Sequence, residues 1–239
     1  MAGVTAPIPI VALDVATGAD ALALVHRLGD GCRFYKIGSE LFTREGPAVV
    51  HAVRHSGCEV FLDLKFHDIP NTVREAARSV ASLGVRLLTV HAGGGAGMVR
   101  AAVEGAGDDC GVLAVTVLTS LDSAALANAW GRDSVDISAE VLRLAAVAAD
   151  AGAHGIVCSG QEAEPVRAAF GDRLALLVPG IRMAGGDAHD QARTSTPASA
   201  ARSGARYIVL GRAVTAAPDP VAAMQRVRAE LLAARPLIA

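Results

Sequence analysis

Residues 59–83 read "EVFLDLKFHDIPNTVREAARSVASL". The first eight residues, 59–66, are an apolar run with Val and Phe, the composition of a strand. A short polar loop follows. The spacing after it predicts a helix over 71–83, with Asn71 as a plausible N-cap. The segment is thus one strand, one loop and one helix. Its oddity lies at the strand's end, where Asp63, Lys65 and Asp68 interrupt an otherwise apolar chain. Burying a charge is costly unless it is paired or used.

The same unit recurs along the chain. Further strands are predicted at 8–14, 32–38, 87–92, 111–118, 154–159, 174–180 and 206–211. Intervening helices include 19–29, 43–56, 136–151 and 218–234, the last opened by Pro218 or Pro220. Eight such units with short connections imply parallel strands. The natural closure is an α/β fold of the (β/α)8 TIM-barrel type, a single domain over residues 1–239. An open doubly wound sheet is the alternative, but no G-x-G-x-x-G follows the first strand. Residues 119–135 form the longest irregular stretch, suited to a short helix or a flap.

Composition narrows the function classes. The chain has 239 residues, 52% of them hydrophobic, and a net charge of −2. No basic stripe points to nucleic acid. No long uncharged apolar run points to a membrane. The start, "MAGVTAPIPIVALD", lacks the positive region of a secretory leader. Cys32, Cys58, Cys110 and Cys158 are widely spaced and read as free buried thiols in a reducing, cytoplasmic setting. Lys and Arg total 22, yet only Lys36 and Lys65 are lysines; the other 20 are arginines. A compact ammonium is not interchangeable with a guanidinium at a tight site. Both lysines are therefore candidates for chemistry.

Polar residues gather at the predicted strand ends, where barrels of this kind carry their sites. Asp14 ends the first strand, Lys36 the second, Asp63 and Lys65 the third and His91 the fourth. Thr119 and Ser120 follow the fifth; Pro179, Gly180 and Arg182 follow the seventh; Gly211 and Arg212 end the eighth. Alternation puts Phe61, Asp63 and Lys65 on the inner face and Leu62, Leu64 and Phe66 toward the helices. Lys36 reaches the same space from the next strand. Parity does not fix the direction of Asp68. Two ammoniums and two carboxylates make a charge-compensated cluster. It suits a proton donor or cationic stabiliser rather than a Schiff-base lysine. A purely structural ion-pair network is the alternative. Arg182, Gln191 in "GDAHDQAR", Gly211 and Arg212 suggest an anion site after strands seven and eight.

Other signals are weaker. His51 and His55 in "HAVRH" lack the glutamate of H-E-x-x-H and read as helix surface. "HAGGGAG", 91–97, lacks the lysine of a phosphate loop and reads as a strand-to-helix connection. His67 and His91 have no accompanying ligand set, so no metal is expected. Trp130 reads as a packing residue.

On these motifs the chain resembles the orotidine 5′-monophosphate decarboxylase family. The resemblance runs from about residue 8 to the C-terminus. It is carried by "ALDV" (12–15), "YKIG" (35–38), the D-x-K-x-x-D of "FLDLKFHDIPNT" (61–72), "TVLTS" (116–120), "PGIR" (179–182), "DQAR" (190–193) and "VLGRAVT" (209–215). No motif position departs from the family pattern; 121–135 has no clear match.

The resemblance implies decarboxylation of orotidine 5′-monophosphate to UMP without cofactor or metal. It implies that Lys65 stabilises and protonates a carbanion at pyrimidine C6. Asp63 and Asp68 flank it and Lys36 completes the charge network. It places substrate along the run that also holds Leu64, Phe66, His67, Pro70 and Asn71. Asp14 would bind ribose and Thr119 the pyrimidine amide. Gln191, Gly211 and Arg212 would hold phosphate, with Arg182 nearby. It further implies a homodimer in which Asp68, Ile69 and Thr72 enter the partner's site. Three rivals share part of this pattern. A Mg²⁺-dependent sugar-phosphate decarboxylase of similar fold would carry an acid in place of Lys36. A Schiff-base aldolase would use one lysine covalently. A catalytically silent nucleotide-binding protein would keep the anion site alone.

Overall fold

The computed structural model describes residues 6–183 and 194–234. Eight parallel strands close into a barrel in sequence order, the first pairing with the last. They are β1 (Ile8–Ala12), β2 (Phe34–Gly38), β3 (Glu59–Phe66), β4 (Leu87–His91), β5 (Gly111–Val115), β6 (Gly155–Val157), β7 (Ala175–Val178) and β8 (Tyr207–Leu210). The helices are α1 (Gly18–Leu28), α2 (Ser39–Glu45), α3 (Pro47–His55), α4 (Pro70–Ser82), α5 (Gly95–Ala106) and α6 (Ser123–Ala129). They continue with α7 (Ile137–Asp150), α8 (Gly160–Phe170), α9 (Pro197–Arg202), α10 (Arg212–Thr215) and α11 (Pro220–Ala233). The TIM-barrel expectation is met. The predicted strands overrun the observed ones by up to three residues, because apolar composition continues into loops that leave the ladder.

Strand alternation divides the core in two. Ile10, Phe34, Phe61, Leu87, Leu113 and Leu177 fill the barrel interior. Val11, Tyr35, Ile37, Val60, Leu62 and Leu88 face the helices and join the larger outer core. Truncating an interior residue such as Phe61 to Ala would cost about 3–5 kcal/mol. At the end away from the strand C-termini, the Phe34 and Tyr207 rings meet edge-on with centroids 6.3 Å apart. His154 Nε2 lies 3.2 Å from the Tyr207 hydroxyl there. That end is packed, so the open mouth is at the other.

Caps explain several helix starts. Asp136 accepts from Ala139 N–H ahead of α7, and Asp219 accepts from Val221 and Ala222 N–H ahead of α11. Each is worth about 1 kcal/mol. Pro220, at N1, opens the last helix. Three expectations are corrected. Asn71 is not a cap: Pro70 occupies the first turn, Ile69 is the N-cap position, and no side chain caps it. The helix predicted at 43–56 is two, α2 and α3, because Gly46 takes φ of 60° and Pro47 restarts the chain. Trp130, expected as a packing residue, is 42% exposed, with the Arg132 guanidinium 5.3 Å from its ring centroid.

Candidate active site

A cavity of about 540 Å³ occupies the mouth formed by the strand C-termini. Its base is apolar, from Phe61, Val157, Leu177 and Val209. One wall carries Asp14, Lys36, Asp63 and Lys65, from β1 to β3. The wall that continues past β1, from the ends of β8 and β7, carries Pro179, Gly180, Arg182, Gly211, Arg212 and Thr215. Val117, Leu118, Thr119 and Ser120, after β5, close a third side. The size suits a small ligand.

The acidic-basic wall is a connected network. Lys36 Nζ lies 3.0 Å from Asp14 Oδ1 and 3.7 Å from Asp63 Oδ2. Lys65 Nζ lies 2.9 Å from Asp63 Oδ1. The Asp63 and Lys36 side chains are each 12% exposed, that of Lys65 37% and that of Asp14 61%. Burial pushes the Asp63 carboxyl up, but the Lys36 and Lys65 ammoniums, with hydrogen bonds from Lys65 and Thr89, outweigh it. The carboxyl is held below the usual carboxylate range. On β4, burial, then His67 and Lys65, push the half-buried His91 imidazole down.

Lys65 does not reach the mouth by plain strand alternation. It has φ of 51°, the only positive φ outside glycine among the described residues. The pairing of β3 with β4 shifts between Leu62 and Phe66. Left-handed backbone at a non-glycine residue costs about 1–2 kcal/mol and clusters at functional sites.

The structure brings Asp14, Lys36, Asp63, Lys65, Thr119, Arg182, Gly211 and Arg212 to one cavity. Leu64 and Phe66 pack on the outer core instead. His67, Asp68, Ile69, Pro70, Asn71 and Thr72 are exposed, running from the end of β3 into α4 and outside the lining of this mouth. Gln191 lies outside the described residues. Residues flanking that segment are paired: Arg182 N–H donates to Ser195 O at 2.8 Å. The four cysteines are free and buried. His67 and His91 rings sit 5.4 Å apart. Among the described residues no group of three acidic, His or Cys side chains is placed to hold a metal. No helix among them is long and apolar enough to cross a membrane.

Sequence reasoning missed Thr89 and Thr215. Thr89 had a usable signal. It lies two residues from Leu87 and from His91, on the inner face of β4, as a polar residue at an interior position.

A sequence model of the Orotidine 5'-phosphate decarboxylase / HUMPS family matches residues 7–227. Over 224 residues the chain is 54% identical to a protein of Anaeromyxobacter sp. (strain K) named orotidine 5'-phosphate decarboxylase, covering 92% of this chain and 96% of that one. It is 46% identical over 230 residues to one so named in Moorella thermoacetica, covering 93% and 91%. The crystal structure of orotidine 5'-phosphate decarboxylase from Lactobacillus acidophilus superposes with a TM-score of 0.84 at 37% identity, covering 95% of this chain and 99% of that one.

Proposed function

The chain belongs to the orotidine 5'-phosphate decarboxylase / HUMPS family, and from that premise we propose how its barrel mouth works. The reaction converts orotidine 5′-monophosphate to UMP in pyrimidine biosynthesis. Substrate phosphate goes to the wall of Gly211, Arg212 and Arg182, with Gln191 contributing, and there guanidinium and backbone N–H groups suit an anion. Ribose goes beside Asp14 and Lys36. The pyrimidine amide meets Thr119. That leaves C6 and its carboxylate against Asp63 and Lys65.

The C6–carboxylate bond breaks to release CO₂ and leaves its electron pair on C6. The Lys65 ammonium stabilises that pair and then donates a proton to it. The product is UMP with a C6–H bond, and the neutral amine recovers its proton from water. Asp63 carries a charge at neutral pH and repels the substrate carboxylate until CO₂ departs. Enzymic barrier reductions range up to roughly 23 kcal/mol. One preorganised ammonium does not supply that alone. Binding of the remote phosphate is used to orient the base and exclude water.

The observation that carries this reading is the Lys65 ammonium, 2.9 Å from a mostly buried carboxylate, in a mouth that also carries two arginines. A Mg²⁺-dependent reading is disfavoured, because the Lys36 ammonium already fills the space between Asp14 and Asp63. The reading includes a homodimer: the exposed run from His67 to Thr72 supports a role for Asp68, Ile69 and Thr72 in the partner's site. Four buried free thiols fit a reducing compartment, the cytoplasm.

The test is ultraviolet absorbance of orotidine 5′-monophosphate mixed with EDTA-treated protein. Conversion to UMP is expected, with Lys65→Ala slower by at least about a thousandfold. An unchanged rate in Lys65→Ala, or turnover that returns only with Mg²⁺, would overturn this mechanism.

A further inference from the structure

Thr89 is fully buried at the inner face of β4, yet it does not line the cavity. Its hydroxyl bonds to both members of the central pair. Lys65 N–H donates to Thr89 Oγ1 at 3.0 Å. Thr89 Oγ1 donates to Asp63 Oδ1 at 2.8 Å. A hydroxyl has one proton, and its partner at Lys65 is itself a donor, so that proton goes to the carboxylate. Lys65 Nζ donates to the same Asp63 Oδ1 at 2.9 Å. The three bonds form a closed ring: Lys65 main chain to Thr89, Thr89 to Asp63, and Asp63 back to the Lys65 side chain.

The ring sits where the strand ladder fails. Leu62 pairs with Leu88, but the next partners are Phe66 and Val90. Four steps along β3 therefore span two along β4. At that shift the Lys65 N–H finds the Thr89 side chain, and Lys65 holds its φ of 51°. An unsatisfied N–H there would leave nothing to hold the strained conformation.

We propose that the Thr89 hydroxyl is a positioning residue for the decarboxylation, fixing the Asp63 carboxylate and the Lys65 backbone so that the ammonium is aimed at the reacting carbon. The proposal rests on the role of Lys65 given above. It assigns the function to the hydroxyl and not to the methyl group.

Two variants separate those groups. Thr89→Val keeps the branched shape and loses the hydroxyl. Thr89→Ser keeps the hydroxyl and loses the methyl. Each is compared with wild type and Lys65→Ala for kcat, KM and UMP affinity. Thr89→Val is expected to lower kcat about 10- to 100-fold, the range for one hydrogen bond to a charged group. Its UMP dissociation constant should stay within about threefold of wild type, since the product's phosphate and ribose are held elsewhere. Thr89→Ser should recover most of kcat. If Thr89→Val does not fold, Thr89→Ala takes its place. Wild-type kcat in the hydroxyl-free variant would overturn the proposal. So would a Thr89→Ser enzyme as slow as that variant, or an equal loss of kcat and UMP affinity. Those results with an inactive Lys65→Ala sink the Thr89 role alone; a fully active Lys65→Ala sinks the lysine mechanism beneath it.

Discussion

At Asp63 burial and charge pairing oppose each other. Burial favours its neutral form, and two ammoniums and a hydroxyl favour the charged one and prevail. The folded chain therefore holds this proton less readily than the unfolded chain does. The resulting stability is in place above the unfolded carboxyl value of about 3.9 and is lost as pH falls through the lower folded value. Asp63→Asn should lower stability at neutral pH by about 1–3 kcal/mol. In urea denaturation that gap should stay level from about pH 7 to 5 and close below about pH 4. A gap that widens in acid would contradict the assignment. Removing Arg212 tests the far end of the substrate. Arg212→Ala should reduce kcat/KM by about 10- to 100-fold although it lies on a different wall from Lys65. Equal kcat/KM in steady-state assays would sink the phosphate role.

Among the elements, α4 and α5 are packed at an unusually close point. A Cβ on Gly105 would lie 2.1 Å from the Arg74 carbonyl oxygen. That neighbour is backbone and cannot swing away. Nearby, Arg74 Nε pairs with Glu104 Oε2 at 3.2 Å. Gly105→Ala should thus destabilise by about 1–3 kcal/mol, seen as a Tm lower by several degrees in a thermal melt. A Tm equal to wild type would mean that the two helices can part without cost. The helices also show where local pattern was too coarse. The 43–56 pattern was helical throughout, but Gly46 and Pro47 set a boundary that apolar spacing does not register. At α4, Asn71 had the right chemistry for a cap, but Pro70 began the helix one residue earlier.

At the scale of the whole molecule, the proposed dimer makes a prediction that one chain cannot show. Asp68 lies outside the mouth of its own barrel, and Ile69 beside it is 67% exposed. If Asp68 serves the partner's site, Lys65→Ala and Asp68→Ala chains should each be nearly inactive alone. Mixed and re-equilibrated, heterodimers would hold one intact site and one doubly altered site. Activity should then return to about a quarter of the wild-type value. No recovery, with heterodimers verified by native mass spectrometry, would place Asp68 in its own chain's site or outside catalysis.

The sequence alone determined the alternation of strand and helix, the inward and outward faces of each strand, and the polar character of the strand ends. Those follow from local periodicity and from the cost of burying charge. Motif resemblance added the family. The tertiary structure decided what depends on register and closure. The pairing of β1 with β2 and of β2 with β3 brings Asp14, Lys36 and Asp63 into ion-pair distance, and closure of the barrel brings two arginines from the ends of β7 and β8 to the same mouth. The pairing shift between β3 and β4 gives Lys65 its left-handed backbone and Thr89 its two partners. Neither could be read from alternation, because a shift in pairing is a property of two strands and is written in neither one.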